Sequence, residues 1–303
     1  MTAVIQCELL GKSFGRKTAL HDVSFTVNQG DTTALIGPNG AGKTTLFSIL
    51  CGYLQPDRGR VSVLSQKPGG GSLFGQLSAL PQDAQFDPGF SIGEQLEFYG
   101  RLQGLNTKTA RSEMQRVLTL VGLESETKQK AGALSHGMRK RAAIAQAFIG
   151  APKLVLLDEP TAGLDPANAL AIRKLISSLS GEVSFLISSH NIFELEQLCN
   201  SILYLEHGSL KAEASSQQVA GQTEYLTLQL EQELSESLRA ELQKLPGLIS
   251  LEQPQKKQLI FCTDNSAESG FDLALLQFLA ANGARYRSLT KGQTLEQKLF
   301  NVG

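Results

Sequence analysis

The chain changes its hydrophobic period several times, and each change marks a different kind of element. Over the first 35 residues apolar and polar positions alternate between turn residues, as in an antiparallel sheet. Val4–Leu9 and Val23–Val27 are the strands this pattern predicts, with Asn28-Gln29-Gly30-Asp31 as a turn. The apolar run Thr33-Ala34-Leu35-Ile36 precedes a glycine-rich turn, and Thr45–Leu50 opens a helix that runs to about Gly52. Pro56–Gly59 reads as a turn before the short strand Arg60–Val63. Residues 66–75, rich in Gly, Pro and Ser, read as a loop, and Leu77–Pro81 as a strand ending at Gln82. From Phe90 to about Gly150 the period is helical. Ser91-x-x-Glu94 is a capping box that opens a helix through Leu102; a second helix fits 107–121, and a third begins near Gly137 and runs to Phe148. An alternation of strand and helix follows: strand Lys153–Leu157, helix 166–180, strand Val183–Ser188, helix 191–199, and a hairpin from Ile202–Leu205 around Gly208.

The polar, small residues Ser215–Gln222 place a domain boundary, separating 1–215 from 222–303. Beyond it, strand 223–230, helix 232–245, strands 247–252 and 257–263, helix 271–282 and strand 284–289 predict a β-α-β-β-α-β unit, the ferredoxin-like order. The predicted class is α/β: a core with an antiparallel β subdomain and a helical subdomain at about 85–150, plus a small C-terminal α+β domain.

Composition narrows the picture. At 303 residues, 41% hydrophobic and 19% charged, the chain is long enough for two folded domains. Its formal net charge of -1 excludes a nucleic-acid binder that relies on a broad excess of positive charge. Cys7, Cys51, Cys199 and Cys262 lie far apart with no C-x-x-C pair, and read as reduced cytosolic thiols. Met1-Thr2-Ala3-Val4 lacks the basic-then-apolar pattern of a signal peptide, and no apolar stretch reaches 18 residues. An anchor at a membrane would have to come from another chain.

The chemistry concentrates in two motifs. Gly37-Pro38-Asn39-Gly40-Ala41-Gly42-Lys43-Thr44 is a complete G-x-x-x-x-G-K-[ST] phosphate loop between a predicted strand and a predicted helix. Its glycines let backbone N–H groups wrap a phosphate, and the helix start adds positive potential. Lys43 reaches the β- and γ-phosphates, Thr44 is a ligand for Mg²⁺, and Thr45 completes the binding run. Leu154-Val155-Leu156-Leu157-Asp158-Glu159 is an apolar strand ending in two carboxylates. In a phosphate-loop enzyme the first holds Mg²⁺ and the second polarises the attacking water.

Leu134-Ser135-His136-Gly137-Met138 taken alone is an N-cap serine followed by the solvated basic residues Arg139-Lys140-Arg141. Beside the two motifs above, it resembles the signature of ABC-type ATPases, Leu-Ser-Gly-Gly-Gln in its commonest form. Ser135 and Gly137 are kept, while His136 and Met138 depart from it. The resemblance covers about residues 3–215 and extends in order to other positions. Gln82 resembles the glutamine loop, which senses metal and water, and Gly163-Leu164-Asp165 the aspartate loop. Ser189-His190 resembles the switch histidine that contacts the γ-phosphate. Phe14 stands where an aromatic residue stacks on adenine. The tail, from Tyr286-Arg287-Ser288-Leu289 through Thr294–Phe300, resembles the ending of stand-alone ATPase subunits of bacterial ABC exporters.

That resemblance implies an ATPase using ATP and Mg²⁺, with Glu159, His190, Gln82 and Lys43 catalytic and with Thr44, Gln82 and Asp158 at the metal. It implies a head-to-tail pair of ATP-binding subunits, identical or paralogous. In such a pair Ser135 and Gly137 of one chain complete the nucleotide site of the other, and Asp165 is a further nucleotide-binding residue. It also implies a separate transmembrane permease, contacted through Phe86, Phe90, Phe98 or Tyr99, and a peripheral position on the cytoplasmic face of the membrane. The alternative is a soluble ABC protein acting on ribosomes or nucleic acid.

Overall fold

The computed structural model describes residues 2–189, 195, 198–215, 223–264 and 270–291. The chain divides into two compact units, Met1–Ser216 and Gln217–Gly303. In the first, β1 (Ala3–Phe14) pairs antiparallel with β2 (Lys17–Asn28) on one side and with β4 (Arg58–Val63) on the other. The alternation buries Ile5, Cys7, Val23, Phe25 and Val27 on one face. Both long strands exceed their predicted bounds. The β1–β2 register shifts around Leu10 and Lys12, and Leu9 takes a left-handed φ of 48°. Such bulges carry a strand through Gly11-Lys12-Ser13, where the alternation lapses.

The strand before the phosphate loop, β3 (Thr32–Ile36), departs from the expectation that residues 1–35 form one antiparallel sheet. It pairs in parallel with β7 (Ser184–Ser189) and β8 (Ser201–Glu206). All its residues are buried, because this sheet is covered on both faces and selects continuous apolar strands. Among the described residues the sheet order is β5-β6-β7-β3-β8-β9, with β5 at Leu77–Leu80 and β6 at Leu154–Asp158. Its one antiparallel edge, β9 (Ser209–Ser215), returns from β8 through His207-Gly208, whose φ values of 47° and 76° close a two-residue hairpin.

Helices α1 (Lys43–Leu50), α2 (Ile92–Leu102), α3 (Thr107–Leu120), α4 (His136–Ala147) and α5 (Pro166–Leu179) lie close to their predicted spans. The capping box is formed: Glu94 N–H donates to Ser91 Oγ and Ser91 N–H donates to the Glu94 carboxylate. Asn106, Ser135 and Asp165 cap α3, α4 and α5. The predicted helix 191–199 falls largely outside the described residues, as do His190 and the tail 294–300.

The second unit runs β10 (Thr223–Leu230), α6 (Glu236–Leu242), β11 (Leu248–Gln255), β12 (Gln258–Asp264), α7 (Phe271–Ala281), β13 (Tyr286–Lys291). Its antiparallel sheet is ordered β11-β12-β10-β13, and Leu226, Leu228, Phe261, Phe271 and Leu275 form its core. Helix α6 is shorter than the predicted 232–245 because Ser235 caps it, accepting from Leu238 N–H.

Candidate functional site

The phosphate loop is shaped by contacts that leave no room for side chains. Gly42 has φ 111°, and a Cβ there would lie 2.6 Å from the Ala19 carbonyl oxygen; a Cβ on Gly37 would lie 2.1 Å from that of Leu205. Gly40, with φ 81°, faces open space, so conformation alone asks for glycine there. The loop is wedged between β2 and the β8–β9 hairpin, where Gly208 N–H donates to the Ala41 carbonyl and His21 N–H to the Gly208 carbonyl. Lys43 is 8% exposed and its ammonium donates to the loop carbonyls of Gly37 and Pro38 at 2.5 and 3.3 Å. Burial lowers its pKa, while Glu159 and Asp158 pull it back up.

A cleft of about 250 Å³ opens over this loop, lined by Asn39–Thr45, Phe14, Lys17, Ala19, Gln82, Asp158 and Glu159. Residues from β2, from the end of β5 and from the end of β6 thus converge on one space. Phe14 is 49% exposed, and the Lys12 ammonium sits 5.6 Å from its ring centroid while pairing with Asp57 at 2.8 Å. The carboxylate pair is held by a residue that sequence reading passed over. Ser188, fully buried at the end of β7, donates its hydroxyl to Asp158 and accepts the Glu159 N–H at 3.0 Å. Glu159 is 7% exposed with φ 48°, a left-handed conformation fixed by those bonds. A serine inside the apolar run Val183–Ser188 offers no signal beyond its position, one strand over from the acids.

The cradle fits the phosphates of a nucleoside triphosphate: its glycines clear backbone N–H groups, and its buried ammonium is bonded only to loop carbonyls in the described hydrogen bonds. Thr44, Asp158 and Gln82 bring hydroxyl, carboxylate and amide oxygens to the same cleft, a hard-donor set that suits Mg²⁺.

Ser135, Gly137 and Asp165 are not among the residues lining it. Ser135 Oγ accepts Met138 N–H at 3.2 Å, and a Cβ on Gly137 would lie 2.4 Å from the Asn168 amide nitrogen. The Asn168 amide in turn donates to Asp165 at 2.6 Å, and hydrogen bonds from Asn168 lower the Asp165 pKa. The signature-like loop therefore packs against the first turn of α5, which Asp165 caps, beside a second cavity of about 650 Å³ lined by His136, Arg139, Lys140, Gly163 and Gln82. The basic run after Ser135 is not uniformly solvated as its sequence implies. Arg139 is exposed, Arg141 half-buried, and Lys140 only 9% exposed. Phe90 and Phe98 are exposed, Tyr99 half-buried and Phe86 buried, so the two outer rings alone of that set face solvent.

Comparison with known proteins agrees with this arrangement. Residues 20–162 match the ABC transporter family. An uncharacterised ABC transporter ATP-binding protein of Bacillus subtilis, YxlF, is 32% identical over 85% of this chain and 86% of its own length. Nod factor export ATP-binding protein I of a Rhizobium species is 38% identical over 67% of this chain and 68% of its own. Among solved structures, CbiO1 of Clostridium perfringens, part of an ABC transporter complex, superposes with a TM-score of 0.65 at 26% identity, covering 72% of this chain and 91% of that one. An ATP-binding cassette of an ABC transporter in its ADP conformation superposes with a TM-score of 0.64 at 27% identity, over 72% and 93%. The chain belongs to the ABC transporter family, as an ATP-binding subunit that hydrolyses ATP.

Proposed function

We propose that this chain drives an exporter whose permease is a separate polypeptide, and that it works as one half of a head-to-tail pair. The observation that carries the reading is the division of chemical groups within one chain. Lys43, Thr44, Gln82, Asp158 and Glu159 share the cleft, while Ser135 and Gly137 stand outside it beside the aspartate loop. A phosphate loop with one ammonium stabilises part of the charge of phosphoryl transfer, and a second donor must arrive from outside. Ser135 and the N-terminus of α4 from a second copy or a paralogue supply it. Thr44, Asp158 and Gln82 would hold Mg²⁺, which neutralises phosphate charge. Glu159 orients and polarises the attacking water, and His190 contacts the γ-phosphate. Phe14 stacks on the adenine.

Among the described residues no helix is long and apolar enough to cross a membrane. The exposed Phe90, Phe98 and Leu102 at α2 support an apolar contact with a permease, and the proposed position of the chain is peripheral, on the cytoplasmic face of the membrane. The name of the Rhizobium relative favours export over import. Two measurements test the reading. Glu159→Gln with ATP should sediment as a dimer and lose turnover by on the order of 10²-fold while still binding nucleotide, and adding Ser135→Arg should return it to monomer. Co-expressed with a permease encoded beside it, the chain should fractionate with membranes. Recovery with ribosomes or nucleic acid instead would replace the exporter reading by that of a soluble ABC ATPase.

A further inference from the structure

Among the described residues two lysines are buried, Lys43 in the phosphate loop and Lys140 on α4. The first belongs to the nucleotide cradle; the second does not line the nucleotide cleft. Its ammonium donates to the backbone carbonyl of Gln82 at 3.0 Å. Burial lowers its pKa, and Asp158, Glu159 and Asp83 act in the opposite direction, so the carboxylate pair lies within its electrostatic reach. The neighbouring basic residues do otherwise: Arg139 donates to the Leu134 carbonyl at 2.7 Å and Arg141 to that of Val121 at 3.0 Å.

Gln82 lines both the nucleotide cleft and the cavity beside α4. It lies two residues past the end of β5, on the segment that leads to the helices, and the far end of that segment is also pinned. Gln95 on α2, 8% exposed, accepts Asp87 N–H at 2.8 Å and donates back to the Asp87 carbonyl at 3.0 Å. The loop after β5 is thus held at Gln82 from α4 and at Asp87 from α2. Burying an ammonium is expensive unless it is hydrogen-bonded near opposite charge, and here the Gln82 carbonyl supplies the bond while Asp158, Glu159 and Asp83 supply the charge.

We propose that Lys140 is a positioning residue for ATP hydrolysis, whose ammonium holds the Gln82 carbonyl and so keeps Gln82 at the mouth of the Asp158–Glu159 cleft. A displacement of α4 then moves Gln82, and with it the hydrolytic geometry, while the phosphate loop stays as it is. The inference rests on the role proposed above for Gln82.

The test is a double-mutant cycle on the full chain, reading kcat, KM for ATP and the half-saturating Mg²⁺ concentration. Lys140→Met is expected to lower kcat by on the order of 10- to 10²-fold and to raise the Mg²⁺ requirement, with KM for ATP within about twofold. Lys140→Arg, which keeps a cationic donor, should recover most of the loss. Combined with Gln82→Ala, Lys140→Met should lower kcat no further than Gln82→Ala alone, because the lysine acts through that residue. Lys140→Leu, which also removes the donor, carries the same comparison if the methionine variant does not fold. Wild-type turnover in Gln82→Ala would overturn the reading of Gln82 and this inference with it. A slow Gln82→Ala beside an unaffected Lys140→Met, or losses that multiply in the double variant, would overturn the role of Lys140 alone.

Discussion

Ser188→Ala isolates the support beneath the carboxylate pair. The hydroxyl donates to Asp158 and accepts Glu159 N–H at 3.0 Å, in a side chain that is fully buried. The two bonds are not equal. The Glu159 N–H has a second acceptor, the Ser188 carbonyl at 3.2 Å, and the variant keeps it. That loss sits at the low end for a neutral hydrogen bond, about 0.5 kcal/mol. The bond to the Asp158 carboxylate has no such reserve and contributes about 1.5–3 kcal/mol. The sum, about 2–3.5 kcal/mol, corresponds to a fall of roughly 4–14 °C in the melting temperature of a unit this size. Activity should fall as well. Glu159 holds φ 48° under the constraint of these bonds, and a loosened Asp158 changes its angle to the cleft. Thermal melts of wild type and variant, paired with turnover against Mg²⁺ concentration, measure both effects. A melting temperature within about 1 °C of wild type together with an unchanged Mg²⁺ response would refute the argument that Ser188 supports the pair.

Further outcomes follow from the same geometry. Gly42→Ala meets both φ 111° and the Ala19 carbonyl, and should abolish nucleotide binding; Gly40→Ala meets open space and should lose only about 1–2 kcal/mol of stability by denaturant titration. Lys43→Ala should weaken ATP binding at least about 10-fold by fluorescence titration with a labelled nucleotide, and unchanged affinity would remove it from the phosphate site. Burial pushes the Cys7 and Cys199 thiols up to about 12 and Cys51 to about 11, so their thiolates are scarce at pH 8. Iodoacetamide should therefore modify them at least about 10²-fold more slowly in the native chain than in urea, which mass spectrometry reads directly.

The parts legible in the sequence were those where one residue type serves one local purpose. The phosphate loop announces itself because glycine is demanded by φ at Gly40 and Gly42 and by contact at Gly37. The uniform burial of β6 shows as an uninterrupted apolar run, and the capping box of α2 as Ser91 and Glu94 at the required spacing. What stayed hidden depends on packing between distant segments. Ser188 matters because β7 lies beside β6, and nothing near it in sequence says so. Lys140 reads as one of three solvated cations until α4 is set against the end of β5. The full lengths of β1 and β2 were concealed by bulges that break their alternation. The parallel pairing of β3 follows from strands contributed by residues 184–206, beyond the reach of any local pattern.

The wedge around the phosphate loop also sets a timetable. Every residue of the motif has been synthesised by Thr44, yet Gly37 packs against Leu205, Ala41 is bonded to Gly208, and β3 takes both its neighbours from β7 and β8. A chain growing at about 5–20 residues per second reaches that hairpin roughly 10–35 s after the loop has left the peptidyl-transfer centre. Through that interval the nascent protein carries the whole phosphate motif without the walls that shape it. Nucleotide capture is then a late event of biogenesis, and a bound nucleotide reports that the first unit has closed.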